Sequence, residues 1–184
     1  MRAHEIQAWL WFGSGFLVLC GGLILLPGID LWASGLFYRP GDGFFLGDLA
    51  LFRLVHDHLN LAVWAFGIAV AIAGGASVLF RHNVLGLSSR AAIFLLLSLA
   101  LGPGFTVNTI FKDHWGRARP AQIAQFGGTQ KFSPDFVPSD QCRRNCSFPA
   151  GDPAMGFYLV SVALLAGSAP LRRGGVIAAV GLGA

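Results

Sequence analysis

Charge is what this sequence has least of. Asp, Glu, Lys and Arg together make up 12% of its 184 residues, about half the fraction common in soluble globular domains. Four stretches, 9–27, 59–80, 91–111 and 153–169, contain no Asp, Glu, Lys, Arg or His. Apolar runs of that length, in a chain 54% hydrophobic with a mean hydropathy of +0.62, imply lipid as the solvent for much of the surface. Runs without ionisable groups also argue against a transporter, whose substrate path places polar side chains at membrane depth. Cysteine is scarce, at three residues. Cys20 falls in an apolar run and reads as a packing residue. Cys142 and Cys146 flank Arg143-Arg144-Asn145. Two sulfurs without a second pair do not make a four-ligand zinc site, and a disulfide is the first reading if their loop faces an oxidising compartment. There is no internal repeat and no low-complexity tract.

What is present orders itself around those runs. Each is near the roughly 20 residues a helix needs to cross a bilayer, so the fold class read here is all-α, a polytopic transmembrane helical bundle. The first run reads as retained, because only Arg2 precedes it and no small-residue cleavage site follows. Residues 28–58 alternate aromatics with Asp and Gly. This predicts an interfacial stretch with a turn at Arg39-Pro40-Gly41-Asp42-Gly43 and a short amphipathic helix over 48–56. Gly102-Pro103-Gly104 predicts a kink in the third run. Asp152 is expected to cap the fourth helix, with Pro153 at its first position. A fifth run opens at Gly174, after Arg172-Arg173, and reaches only Ala184, so residues 1–184 read as one domain cut short at its C-terminus. The tryptophans at 9, 11, 32, 64 and 115 read as interfacial anchors.

The net charge is +4, and the cations lie mostly between apolar runs, as loop charges of membrane proteins do; this is no nucleic-acid signature. Six of the thirteen Lys and Arg residues fall in 112–144, inside the long polar loop 112–152, which therefore suits an anionic partner. Short-loop charges and the Cys pair place that loop on the outer side of the membrane.

Two stretches of this loop carry chemistry. Lys112 and Arg119 are seven residues apart. On a helix that is two turns, one face and roughly 10 Å along the axis. A lysine point charge and an arginine fork could converge from there on one tetrahedral anion, with Pro120 stopping the helix. A plain juxtamembrane cluster touching lipid headgroups is the bland alternative. The second stretch is Pro149-Ala150-Gly151-Asp152-Pro153, where small residues meet the start of an apolar helix. Free N–H groups at a helix N-terminus form an anion site; an ordinary cap would use the same residues. His114 reads as a surface histidine. His56-Asp57-His58 reads as interfacial polar residues rather than a metal pair, since positions i and i+2 do not share a helix face.

Together these two stretches resemble the type-2 phosphatidic acid phosphatase family, whose members include bacterial lipid A and undecaprenyl-diphosphate phosphatases. Its first signature, Lys, six residues, then Arg-Pro, matches Lys112 through Arg119-Pro120 in full. Its second, Pro-Ser-Gly-His at the head of a helix, is matched by Pro149 and Gly151, while Ala150 replaces the serine and Asp152 the histidine. Residues 29–45 also look like the amino-terminal region of some bacterial members. The resemblance implies six membrane helices, five of them begun here, in a bacterial inner membrane with the site facing the periplasm. It implies hydrolysis of a lipid phosphate monoester or diphosphate through a phospho-histidine, with no metal or other cofactor and no nucleic-acid partner. Phosphate binding carries over to Lys112, Arg119, the 150–151 turn and the Gly151 N–H, and the leaving-group acid role to Asp152. The third signature, an Arg followed by the nucleophilic His and its Asp, has no counterpart up to Ala184 and is expected beyond it. Ala150 lacks a hydroxyl whose bond to a charged phosphate is worth roughly 1.5–3 kcal/mol. A catalytically impaired lipid-phosphate binder is therefore the alternative reading.

Overall fold

The computed structural model describes residues 3–183. Arg2, Ala184 and the side chains of His4 and Trp9 lie outside the described residues, and with them the topology charge expected of Arg2 and the anchor expected of Trp9. Helix α1 (Ala3–Leu25) covers the first apolar run. Pro27 interrupts it, and α2 (Gly28–Gly35) leaves at 84° to residues Gly13–Leu25. The turn predicted at 39–43 is a two-stranded antiparallel hairpin, β1 (Tyr38–Arg39) with β2 (Gly43–Phe44), pairing Tyr38 with Phe44. Phe126 of the long loop packs on both Tyr38 and Phe44, at 5.0 and 5.3 Å between ring centroids. A 3-10 turn over Phe45–Asp48 leads into α3 (Ala50–Phe80).

Three expectations about helix boundaries are corrected. The separate amphipathic helix over 48–56 does not form: from Ala50 onward its residues are the first turns of α3, because no Gly or Pro interrupts the sequence from Leu49 to Asn60. The kink at Pro103 is replaced by a wide turn. Helix α4 (Ser89–Leu99) continues as a π-helix over Ala100–Phe111 and then as α5 (Lys112–His114). Widening absorbs the N–H that proline lacks, and the hydroxyls of Thr106 and Thr109 donate to the Leu101 and Gly104 carbonyls, at 2.7 and 3.4 Å. The fourth run is shorter than 153–169. Helix α6 (Gly151–Leu164) stops where Gly167-Ser168 turn the chain, and α7 (Ala169–Gly183) begins there with Pro170 in its first turn. Arg172 and Arg173 are thus helical and do not form a link.

Among the described residues two helices are long and apolar enough to cross a membrane, α3 and the continuous Ser89–His114, or three if α1 and α2 form one broken span. Helix α6, of 14 residues, extends about 21 Å at 1.5 Å per residue, short of a hydrocarbon core about 30 Å thick, and α7 packs against it. They pack at close range through small residues: a Cβ on Gly156 would lie 2.6 Å from the Gly183 nitrogen, and one on Gly175 2.9 Å from Ala163 Cβ. Small residues at helix contacts are the means of close packing where water provides no hydrophobic drive. The core joins α3, α4 and α6 in two clusters, Val63-Leu99-Met155-Tyr158 and Val70-Ala92-Leu95. The outer faces stay apolar and open, with Ile72 and Leu79 69% and 75% exposed, as lipid-facing surfaces are.

The long loop is held by one buried cation. Arg117, 8% exposed, is ion-paired to Asp30 of α2 and to Asp135, the latter at 3.2 Å. Its Nε donates to the Ser133 carbonyl at 2.9 Å and its Nη1 to the Ser147 hydroxyl at 3.3 Å. Burial raises the Asp135 carboxyl above its usual range, Arg117 pulls it down, and Asp30 pushes it up. Cys142 and Cys146 form a disulfide, with Cα atoms 5.6 Å apart.

Arg117→Ala leaves two partly buried carboxylates without their cation, a loss of about 3–5 kcal/mol. It should lower the unfolding midpoint clearly in detergent micelles, and an unchanged midpoint would contradict the structure. Alkylation of unreduced protein should spare Cys142 and Cys146, which become labelled only after reduction.

Candidate active site

The helix carrying Lys112 ends sooner than the sequence suggests. Helix α5 stops at His114, so Lys112 and Arg119 do not share a helix face, and Pro120 opens a 3-10 turn (Pro120–Gln122) and does not end a helix. The reason is Gly116. Its φ is +74°, the left-handed geometry that closes helices, and a Cβ there would meet the Ser139 carbonyl oxygen at 1.6 Å. The chain then runs irregularly to Arg119. Its path is fixed by returning strands of the loop: Cys146 N–H donates to the Lys112 carbonyl and Ser147 N–H to the Arg117 carbonyl, each at 2.9 Å. His114 is tied to the Thr109 and Ile110 carbonyls, at 2.9 and 3.2 Å, and serves the end of the π-helix. Trp115 is packed between Phe111 and Phe148, at 5.0 and 5.6 Å between centroids, inside an aromatic cluster.

The two cations nevertheless meet. Lys112 Nζ lies 3.4 Å from Asn145 Oδ1, and Arg119 Nη2 donates to the Asn145 carbonyl at 3.2 Å. Both line one cavity of about 520 Å³, together with Asn108, Ala150, Gly151 and Asp152. The start of α6 closes it. Ala150 is the N-cap, which corrects the expected Asp152 cap: Gly151, Asp152 and Pro153 are the first three helical residues. The first helical bond to form is Ala154 N–H to the Ala150 carbonyl at 3.4 Å. Pro153 therefore forfeits nothing, and the Gly151 and Asp152 N–H groups stay free for an anion. A Cβ at position 151 would stand 2.8 Å from Lys112 Nζ, so any side chain there displaces the ammonium from the helix start.

Asp152 is engaged from the other side. His56 Nδ1 donates to its Oδ2 at 2.6 Å, and Asn60 Nδ2 to its Oδ1 at 3.2 Å. His56 and Asn60 are four apart on α3, so they share a face; His58, two residues on, turns instead to the Leu54 carbonyl at 3.0 Å. From sequence, His56 reads only as an interfacial polar residue. Its signal was the four-residue spacing to Asn60 together with a carboxylate where the family places a histidine. Arg143 and Arg144, which could have offset the Asp152 charge, stand apart around a different cavity with Gln122 and Gly128. Among the described residues no three His, Cys, Asp or Glu side chains are grouped to hold a metal ion.

The profile of the PAP2 superfamily matches residues 91–184, which contain both signature stretches. The chain belongs to the PAP2 superfamily. Within it, this chain is similar to the lipid A 4'-phosphatase of Francisella tularensis subsp. novicida (strain U112), with 34% identity over 174 residues, 94% of this chain and 73% of the relative. It is 30% identical over 173 residues to the lipid A 4'-phosphatase of Rhizobium leguminosarum, covering 85% of this chain and 70% of that one. The lipid A 4'-phosphatase of Rhizobium etli is 28% identical over 177 residues, 88% and 66% of the two chains. No solved structure matches significantly. The phosphatase class expected from Lys112 and Arg119-Pro120 agrees with these PAP2 relatives, which are phosphoric monoester hydrolases by name.

Gly151→Ala should push the Lys112 ammonium off the helix start and weaken binding of inorganic phosphate or vanadate about tenfold, or ~1.4 kcal/mol. Calorimetric titration of the detergent-solubilised protein checks this; unchanged affinity would show that Lys112 and the α6 terminus do not act together.

Proposed function

We propose that this chain is a membrane phosphatase that removes a phosphate monoester from a lipid of the lipid A kind. The observation that carries the reading is the meeting of Lys112, Arg119 and the free N–H groups of α6 in one cavity. A phosphoryl group in flight spreads charge over its equatorial oxygens, and preorganised donors that face this charge lower the barrier. Lys112 supplies a compact charge, Arg119 a fork, and Gly151 a backbone donor with room for close approach. Asp152 marks the leaving-group end. The route we assign is a phospho-histidine intermediate hydrolysed by water. The nucleophile comes from the family's third signature, whose sequence context no stretch of residues 1–184 supplies.

The same reading makes residues 1–184 a single membrane domain with five spans begun, in a bacterial inner membrane with the long loop in the periplasm. The Cys142–Cys146 disulfide supports the outer side, where such bonds persist. A second reading, a lipid-phosphate binder without turnover, is favoured by Ala150, which offers the phosphate no hydroxyl.

The test is phosphate release from lipid A and from short-chain phosphatidic acid in mixed micelles, using protein from the full open reading frame. Turnover is expected, with Lys112→Ala and Arg119→Ala each lowering kcat/KM about 10²–10³-fold. Phosphate binding without turnover in the unaltered protein would favour the binder.

A further inference from the structure

A histidine is missing from the second signature in sequence yet present beside it in space. We propose that His56, held by Asp152, is the proton donor to the leaving oxygen of the lipid; this rests on the phosphatase reading above. Four observations support it. His56 Nδ1 is committed to the Asp152 carboxylate at 2.6 Å. That bond fixes the tautomer and ring orientation, leaving Nε2 without a hydrogen-bond partner among the described residues. Asn60 holds the other carboxylate oxygen at 3.2 Å, so Asp152 cannot turn away to cap its own helix. His56 lines the same cavity as Lys112 and Arg119.

The fourth observation concerns the lipid. His56 and Asp152 also form the wall of a second, mainly apolar cavity of about 690 Å³, bounded by Leu46, Leu51, Phe52, Val55 and Leu182, with Arg53 also in its lining. The ester oxygen joins a phosphoryl group to a lipid. A donor serving that oxygen must stand where the polar cradle meets the apolar side, and His56 is shared by both cavities.

The step balances as follows. The nucleophilic imidazole of the phospho-histidine route forms its bond to phosphorus as the bond from phosphorus to the ester oxygen breaks. That oxygen keeps the bonding pair and takes the proton from His56 Nε2, leaving as a neutral alcohol. Neutral His56 then accepts a proton from the water that attacks the phospho-enzyme, which restores the imidazolium. The Asp152 carboxylate orients the ring through Nδ1, the part a carboxylate plays beside a catalytic histidine, and does not itself deliver the proton. It is a positioning residue.

A proton donor matters in proportion to how poor the leaving group is. The test compares short-chain phosphatidic acid, an alkyl ester, with p-nitrophenyl phosphate, whose phenolate leaves without help. His56→Gln and Asp152→Asn are each assayed on both substrates in the full-length protein, with vanadate binding as the check on folding. The expected result is a loss of roughly 10²–10⁴-fold in kcat on the alkyl ester and less than tenfold on the aryl ester, with phospho-enzyme still trapped from the aryl substrate. Should His56→Gln fail to fold, the same split in Asp152→Asn carries the test. His58→Gln, whose ring is turned to the Leu54 carbonyl, should leave both activities unchanged. Equal losses on the two esters, or no loss on either, would overturn the donor role. Loss of phospho-enzyme from the aryl ester would make His56 the nucleophile instead. An unaltered protein that releases no phosphate from either ester would overturn the phosphatase reading itself.

Discussion

Arg117 is the pivot on which the outer half of this molecule turns. It lies two residues before Arg119 and five after Lys112, and its guanidinium faces away from the cavity, into a nest of Asp30, Asp135, the Ser133 carbonyl and the Ser147 hydroxyl. A buried guanidinium is tolerated only when its donors are satisfied and its charge is compensated, and both conditions are met here. The consequence is positional. With Arg117 anchored inward, the path of the chain from Gly116 to Arg119 is held in place. Ser147, tied to Arg117, passes its register on to Asn145 and to the start of α6.

The site is therefore assembled from three unrelated supports. Lys112 comes from the end of a helix that widens into a π-turn, Arg119 from an irregular strand after Gly116, and Gly151 from the first turn of α6. Each would be mobile alone. Contacts between supports remove that freedom: Cys146 N–H on the Lys112 carbonyl, Ser147 N–H on the Arg117 carbonyl, and the Asn145 side chain and backbone between the two cations. A charged pocket lined by loop and helix ends has no thick protein shell around it, so cross-bracing of this kind does what burial does deep in a core.

The composition carries a second lesson. Span-like runs without charge reveal a membrane protein but not its helix boundaries. Residues 48–56 read as a separate amphipathic helix, yet from Ala50 onward they are the start of α3, and His56 and Asn60 of this end of α3 line the cavity that holds Lys112 and Arg119. His56 was discounted for its neighbour His58, two positions away and off the face. The pair that mattered was His56 with Asn60, and its partner Asp152 lies 96 residues downstream. Local spacing cannot show a contact of that range.

By itself, the sequence determined the solvent and the family, and it singled out Lys112, Arg119 and Gly151 as the residues proposed to hold phosphate. Charge-free runs leave few solutions other than lipid-exposed helices, and Lys112, Arg119-Pro120 and Gly151 are types whose donors and small size the chemistry demands. Tertiary structure alone decided how those ligands converge and what stands beside them. A helix through Arg119 would have brought the two cations together by periodicity; the left-handed turn at Gly116 ends that helix, and the meeting is achieved by strands folding back over a buried arginine. Only packing of α3 against α6 could set His56 on Asp152, and that packing runs through Val63, Leu99, Met155 and Tyr158 deeper in the bundle.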